Sequence, residues 1–270
     1  MTAVDQAYQL SEGQRVLTHA YGDRVTFLHN PFALSLMRRI GHPDCVQPAL
    51  GGYVRLAYQY LCAEAFSLHL KVSAQATPTR MEAVVPEGVY RGDAFAEQRV
   101  VSVAVARAGI VPSEVCFQMG AQLLGVGAIR QDHFAMARQT NAAGEVVGVS
   151  VSGEKIGGDV DGATVLLPDP MGATGGSLDH AIAHYKVAVG GRARRYVALF
   201  LTCTPECVER LLGAHDDVHI VALRLDRGLS SEAALSSVPG ALAGERGLTD
   251  TQYIVPGAGG VGEVLNNSFV

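Results

Sequence analysis

The stretch Val165 to Ser177, Val-Leu-Leu-Pro-Asp-Pro-Met-Gly-Ala-Thr-Gly-Gly-Ser, groups one carboxylate, two hydroxyls and adjacent glycines. It begins as a short apolar run, which by length and composition reads as a buried strand. Leu178 to His184 then reads as a helix. A small-residue loop between a strand end and a helix start can aim backbone N–H groups at an anion, and the helix dipole favours that anion. Thr174 and Ser177 add hydroxyl donors. Asp169 repels a phosphate, so its partners would be sugar hydroxyls or a metal ion. Gly175-Gly176 would suit an ordinary strand-to-helix turn equally well, and local physics alone does not separate the two readings.

Around this stretch lie 270 residues, 48% hydrophobic and 17% charged, the composition of a folded chain with a full core. The net charge of −5 and a pI near 6.0 argue against nucleic-acid and anionic-membrane surfaces. No run approaches the roughly 18 apolar residues of a membrane span, and the first residues lack the basic start and apolar run of a signal peptide. A cytoplasmic enzyme or binding protein is expected. The cysteines (Cys45, Cys62, Cys116, Cys203, Cys207) are scattered, so buried free thiols are expected rather than a zinc site. His215 and His219 are four apart but fall on different elements, which argues against a metal pair.

The elements that must position the loop follow from pattern and punctuation. Residues 1 to about 24 read as a surface arm or a first helix. Pro31 to Ile40 has helical spacing, and Gly41-His-Pro-Asp44 breaks it, with Asp44 a candidate N-cap. A longer helix is predicted through Tyr53–Phe66, after Pro48 and Gly51-Gly52. Met81–Val85 and Gly88–Gly92 read as two short strands of a projecting arm. Val100–Val105 is a core strand, and Val115–Leu123 a helix. Gln131 to Asp161 is rich in small and polar residues, with Val146–Ser152 as its strand-like run. Arg192–Arg195 reads as a solvated loop before the strand Tyr196–Leu201. Thr204-Pro-Glu206 opens a helix, and Val218–Leu223 is the next strand. Ser230–Gln252 reads as a surface insertion. Strand, helix, strand at these lengths implies right-handed crossovers and a parallel sheet.

These residues also resemble a known family. Asp169-Pro170-Met171-Gly172-Ala173-Thr174-Gly175-Gly176-Ser177 is similar to the phosphoribosyl pyrophosphate (PRPP) loop of uracil phosphoribosyltransferases, D-P-M-L-A-T-G-G-S, with Gly172 as the departure. Arg107-Ala108-Gly109 resembles the end of the family's V-P-I-L-R-A-G, where an arginine fork can hold phosphate oxygens. Gly125–Asp132 resembles V-G-M-Y-R-N-E and would bring Arg130 to PRPP. Lys155 falls at the family's K-L-P lysine, and Asp226 at the end of its H-P-D-V-E-I-Y-T-A-A-I-D run. Tyr253-Ile-Val-Pro-Gly257 is identical to the family's Y-I-V-P-G.

The resemblance implies an α/β fold of the type I phosphoribosyltransferase kind. That fold is a parallel sheet flanked by helices, with a β-arm and a small hood from both chain ends. All of 1-270 would form one domain: N-terminal helices and hood part in 1-80, core, arm and flap in 81-230, insertion and C-terminal hood in 231-270. It implies Asp169 and Arg107 as catalytic residues. PRPP would be bound by Arg107, Ala108, Gly109, Arg130, Gly260 and the loop from Asp169 to Ser177. Tyr253, Ile254, Gly259, Gly260 and Val261 would meet the acceptor. PRPP would bring Mg²⁺, the acceptor would be a heterocycle with uracil foremost, and the arm would make a homodimer or higher oligomer. A different acceptor, or a non-catalytic PRPP sensor, are the alternatives.

After Tyr253–Gly257 the likeness breaks. The family continues G-L-G-D-A-G-D-R, whereas Gly257-Ala-Gly-Gly260-Val-Gly-Glu263-Val264 stands here. Gly260 replaces the first aspartate, Glu263 the second, and Val264 the arginine. The hood is therefore expected to keep its backbone recognition and to lose its carboxylate. Restoring an aspartate at position 260 is expected to raise PRPP affinity.

Overall fold

A computed structural model describes residues 4–140 and 146–268, with the backbone alone at 137–140 and 146–151. After a short 3-10 turn at Gln6–Tyr8, β1 (Val25–Phe27) leads to α1 (Pro31–Ile40) and α2 (Ala49–His69). An antiparallel pair follows, β2 (Val72–Pro78) with β3 (Val89–Phe95). The core then runs β4 (Val100–Ala106), α3 (Ile110–Leu124), β5 (Ile129–Thr140), β6 (Val146–Lys155), β7 (Thr164–Pro168), β8 (Met171–Gly172) and α4 (Gly176–Ala188). It continues with β9 (Arg195–Cys203), α5 (Pro205–Ala214), β10 (Val218–Leu225), α6 (Glu232–Leu235) and α7 (Val261–Asn266).

Among the described residues the large sheet has the order β1-β10-β9-β7-β4-β5-β6, with the short β8 beside β9. Its neighbours are parallel except for the edge strand β6, which runs antiparallel to β5. This is the expected parallel sheet, closed at one side by the flap hairpin. Period-two alternation divides the core strands between two faces. Val101, Val103, Val105, Val165, Leu167, Ala198 and Phe200 pack under Leu178, Ile182 and Tyr185 of α4 and Val208 and Leu211 of α5. Val100, Leu166, Val197, Leu199, Leu201, Val221 and Leu223 pack under α1, α2 and α3. Strands buried on both faces explain why β7, β9 and β10 read as nearly continuous apolar runs.

The order also creates a switch point. From β4 the chain moves one way, through α3 to β5; from β7 it moves the other way, to β9 and β10. The connections after β4 and β7 therefore diverge and leave a crevice at the carboxyl ends of adjacent strands, where open α/β sheets bind ligands.

Several expectations need correction. The first described residues are more than a surface arm: the Tyr8 hydroxyl donates to Asp226 at 2.9 Å, and Asp5 pairs with the buried Arg227 at 2.8 Å. Asp44 caps nothing, since α2 starts at Ala49 behind Pro48. Gly51 and Gly52 lie inside that helix, where tertiary packing outweighs their low propensity. The arm is real, but its first strand is Val72–Pro78, and Met81–Val85 lies in the turn region. Alternation was weak there because both faces of the arm are largely exposed. Arg192 and Arg194 sit in an exposed loop, as expected, but Arg195 already opens β9, and Arg194 and Arg195 both reach His69. The 230–252 insertion is anchored by Glu245, which is buried and ion-paired to Arg227 at 2.8 Å. All five cysteines are free and four of them are buried, as expected.

Candidate active site

At the switch point lies a cavity of about 720 Å³. Three chain segments wall it: the end of β4 with Arg107 and Ala108, the stretch Asp169 and Met171–Leu178, and Gln252–Ile254 with Gly259–Glu263. Phe200, Ala135, Met136 and Ser152 complete the lining. The sequence places these segments more than 60 positions apart, and the sheet brings them together.

The loop after β7 is built as its residues suggest. The Asp169 amide donates to Leu199 O at 3.0 Å, and the Met171 amide to Asp169 Oδ1 at 3.1 Å. This fixes the carboxyl group at the strand end. Gly175 takes φ +73°, a left-handed conformation that glycine adopts without steric cost. α4 starts immediately afterwards at Gly176, so its first-turn N–H groups face the cavity wall unspent by helix bonds. The Thr204 hydroxyl steadies the loop by donating to Ala173 O at 2.7 Å. Here the helix start is not an ordinary turn on the surface; it opens into this cavity.

Gly172 has a clear structural reason. A Cβ there would stand 2.7 Å from Cys203 Cβ and 2.9 Å from the Phe200 ring. Phe200 fills from β9 the space that an aliphatic side chain at 172 would take.

Arg107 ends the neighbouring strand, joined to Ala106 by a cis peptide bond. Its Nη1 donates to the carbonyl and hydroxyl oxygens of Ser268, at 3.2 and 2.9 Å. Gly109 is required by close approach: a Cβ would lie 2.7 Å from Val105 O and 3.0 Å from Pro168 O. The Arg107–Gly109 loop therefore presses directly on the end of β7.

Arg130 does not join the cavity. It pairs in register with Val101, near the amino end of β4, whereas Ala135 pairs with Ala106 at the carboxyl end. Five residues of strand put Arg130 roughly 17 Å from that end. Its guanidinium is engaged there, by Asp132 at 3.0 and 3.1 Å and by the carbonyls of Asp159 and Gly158. Asp132 is fully buried and also accepts from the Tyr185 hydroxyl at 2.7 Å. Arg130 is a structural residue, and the expectation of a PRPP contact is corrected. By strand register, position 138 is the arginine of β5 that falls toward the carboxyl end, opposite Val149 of β6. The signal in the sequence is Met136-Ala-Arg138, whose methionine and arginine are spaced as in M-Y-R. Lys155, at the far end of β6, pairs with His133 rather than with the cavity end of β5.

The hood is held from below. Arg224 donates to Asp226 at 2.6 and 2.7 Å and to Gly257 O at 2.9 Å, while the Gly257 amide donates back to Asp226 at 2.9 Å. Asp226 is fully buried. Burial disfavours the charged arginine, but the adjacent carboxylate outweighs it, and the Arg224 pKa rises. Burial and the nearby Asp226 likewise keep the Tyr8 phenol protonated, so it remains a donor. This polar cluster fixes the turn that carries Tyr253, Ile254 and Gly259 to the cavity rim. Sequence reasoning found Asp226 but missed Arg224 and Tyr8, because their partners are far away along the chain.

Gly260 caps α7, and Val261 and Glu263 follow on its first turn. All three face the cavity. The hood thus carries no carboxylate at position 260 and presents that of Glu263 to the cavity. Among the described residues no group of three or more His, Cys, Asp or Glu could hold a metal ion. No helix of the described residues is long and apolar enough to cross a membrane.

Known proteins resemble this chain in sequence and in fold. The family model for uracil phosphoribosyltransferase matches residues 28–242. A uracil phosphoribosyltransferase of Dictyoglomus turgidum is 27% identical over 209 residues, covering 77% of this chain and 86% of that one. One from Deinococcus radiodurans is 28% identical over 186 residues, covering 69% and 72%. Among solved structures, the AQ2163 protein from Aquifex aeolicus superposes with a TM-score of 0.67 at 20% identity, over 89% of this chain and 97% of that one. That likeness supports the fold alone.

Proposed function

The chain belongs to the uracil phosphoribosyltransferase family, whose members are pentosyltransferases, and from that premise we propose that it converts uracil and PRPP to UMP and pyrophosphate. The observation that carries this reading is the convergence, at one switch point, of the Asp169–Ser177 loop, the Arg107 loop and the Tyr253–Gly260 hood.

In this reading the N–H groups of Thr174–Ser177 and the Thr174 and Ser177 hydroxyls hold the 5-phosphate, with the start of α4 favouring its charge. Pro170, Met171, Gly172 and Ala173 shape the loop beneath the ribose. Asp169 accepts hydrogen bonds from the ribose hydroxyls and stabilises positive charge as the C1–O bond to pyrophosphate breaks. Arg107, with the backbone of Ala108 and Gly109, receives the departing diphosphate; its guanidinium exchanges Ser268 for phosphate oxygens. The new bond joins C1 to a ring nitrogen of the acceptor, and that nitrogen's proton passes to solvent.

The acceptor meets main-chain groups of Ile254 and Gly259 and the Tyr253 ring, with Gly260 and Val261 forming the rim. Uracil alternates carbonyl acceptors with N–H donors, which backbone groups can match. The donor set fits Mg²⁺ carried by PRPP, since the cavity offers carboxylates but no protein cage. When bound, Mg²⁺ supplies charge neutralisation to the diphosphate. The exposed two-stranded arm would serve a homodimer, and the absence of membrane-spanning helices among the described residues suits a cytoplasmic enzyme of pyrimidine salvage.

The test is an assay of the purified protein with PRPP, Mg²⁺ and single heterocycles. UMP and pyrophosphate should appear in equal amounts with uracil. Turnover with another heterocycle but not uracil would move the assignment to that acceptor. Tight PRPP binding without turnover on any acceptor would replace the enzyme by a sensor.

A further inference from the structure

The loop after β7 is pressed from outside by α5. A Cβ at Gly175 would lie 3.3 Å from the Cys207 carbonyl oxygen and Sγ and 3.4 Å from Leu211 Cγ. Cys207 and Leu211 are four apart on α5, and Arg210 falls on the same side, three after Cys207. A Cβ at Gly176 would lie 3.1 Å from Arg210 Nη1 and 3.4 Å from Thr174 Oγ1. The guanidinium therefore lies over the first residue of α4, beside the Thr174 hydroxyl, in room that the missing side chain at 176 leaves.

Nothing in the protein balances this charge. Arg210 is exposed, and among the described residues its guanidinium makes no hydrogen bond and no ion pair. Glu206 stands one turn earlier, at the spacing that commonly pairs a glutamate with an arginine. Its carboxylate instead accepts from the Gly247 and Leu248 amides at 3.0 to 3.2 Å. Asp179, in the first turn of α4, is held by His215 at 3.0 Å. The start of a helix is the positive end of its dipole, so a cation laid over it is repelled unless an anion joins them.

We propose that Arg210 is a further phosphate-binding residue of this site, donating from its guanidinium to the 5-phosphate of the donor and of the nucleotide product. This rests on the PRPP reading above. The Ala173–Ser177 loop offers the phosphate amides and hydroxyls, all of them neutral. Arg210 adds a full positive charge and a charge-assisted hydrogen bond from the open side of the loop. It also gives α5 a part in the site that the cavity walls do not show.

The test is calorimetric titration of UMP into the full-length parent, Arg210→Gln and Arg210→Lys, each at low and at high salt. Thermal unfolding without ligand checks that each protein is folded, and the midpoints should match, since no ion pair is lost. Arg210→Gln should weaken UMP binding about tenfold at low salt, the scale of one lost hydrogen bond to a charged group. Its gap from the parent should narrow at high salt, because an exposed charge is screened; a merely structural role would not respond in this way. Arg210→Lys keeps the charge and should lose less than Arg210→Gln. Parent-like UMP binding by Arg210→Gln at low salt, or a loss of the same size at both salts, would overturn the proposal. Failure of UMP to bind the parent at either salt would instead overturn the PRPP reading, and this inference with it.

Discussion

The loop after β7 and the hood face each other across one cavity and are built in opposite ways. The loop is a run of consecutive residues at the end of a buried strand, and its proposed chemistry rests mainly on backbone N–H groups and one fixed carboxylate. The hood is assembled from distant pieces: β10 supplies Arg224 and Asp226, the N-terminal turn supplies Tyr8, and residues 253–263 supply the rim. Chemistry carried by backbone geometry tolerates few changes, because the glycines and the strand end define it. Chemistry carried by side chains can move. Glu263 folds back into the space that a side chain at 260 would fill, whereas Gly172 is matched by filling from Phe200 and leaves the loop's course intact.

The sharpest way to break this comparison is Asp169→Asn. If the loop's carboxylate stabilises the cationic sugar, turnover should fall on the order of 1000-fold, with PRPP still bound and thermal stability little changed. Full activity in steady-state assays would remove Asp169 from the chemistry. Arg130→Ala separates the two ends of the sheet. It leaves Asp132 buried without its cation and should cost about 3 kcal/mol in denaturant unfolding. PRPP affinity of the folded protein should be unchanged, and a selective loss of affinity would return Arg130 to the site.

Gly172→Leu drives a side chain into Cys203 and Phe200 and should cost about 1–3 kcal/mol. Pairing it with Phe200→Ala should recover part of that loss in thermal unfolding; no recovery would contradict the volume exchange. Tyr8→Phe removes one hydrogen bond beneath the hood and should cost about 1 kcal/mol. A rise in the acceptor KM larger than that in the PRPP KM would show that the cluster serves the hood rather than the loop.

The smallest effect concerns pH and lies away from both regions. Burial, then His219 and the two arginines Arg195 and Arg194, lower the His69 pKa from 6.5 to about 4. The unfolded chain binds this proton more readily, so the stability His69 contributes is present above pH 6.5 and is lost as pH falls toward 4. The melting temperature should decline across that window, and His69→Gln should flatten the decline.

The contrast also explains what could be read from sequence. The loop was legible because its residues are contiguous and its flanking strands are apolar on both faces. Arg107 was legible because it ends the adjacent strand. Arg130 misled because a single arginine after a glycine-rich turn looks alike at either end of a strand; only the register with β4 decides. The arm's first strand was missed because exposed strands lack alternation. The hood's supports were missed because Arg224, Tyr8 and Arg227 gain their meaning from partners up to 222 positions away. Sequence shows the position of Glu263 but not that its side chain folds back over Gly260, which is a matter of rotamer.

The central claim is that the loop receives the donor and the hood the base. A crystal structure with UMP tests it most directly. The account predicts phosphate oxygens within hydrogen-bond distance of the Thr174–Ser177 amides, ribose hydroxyls at Asp169, and the pyrimidine against Ile254 and Gly259. A nucleotide bound elsewhere, or bound at the loop with its base turned away from the hood, would contradict it.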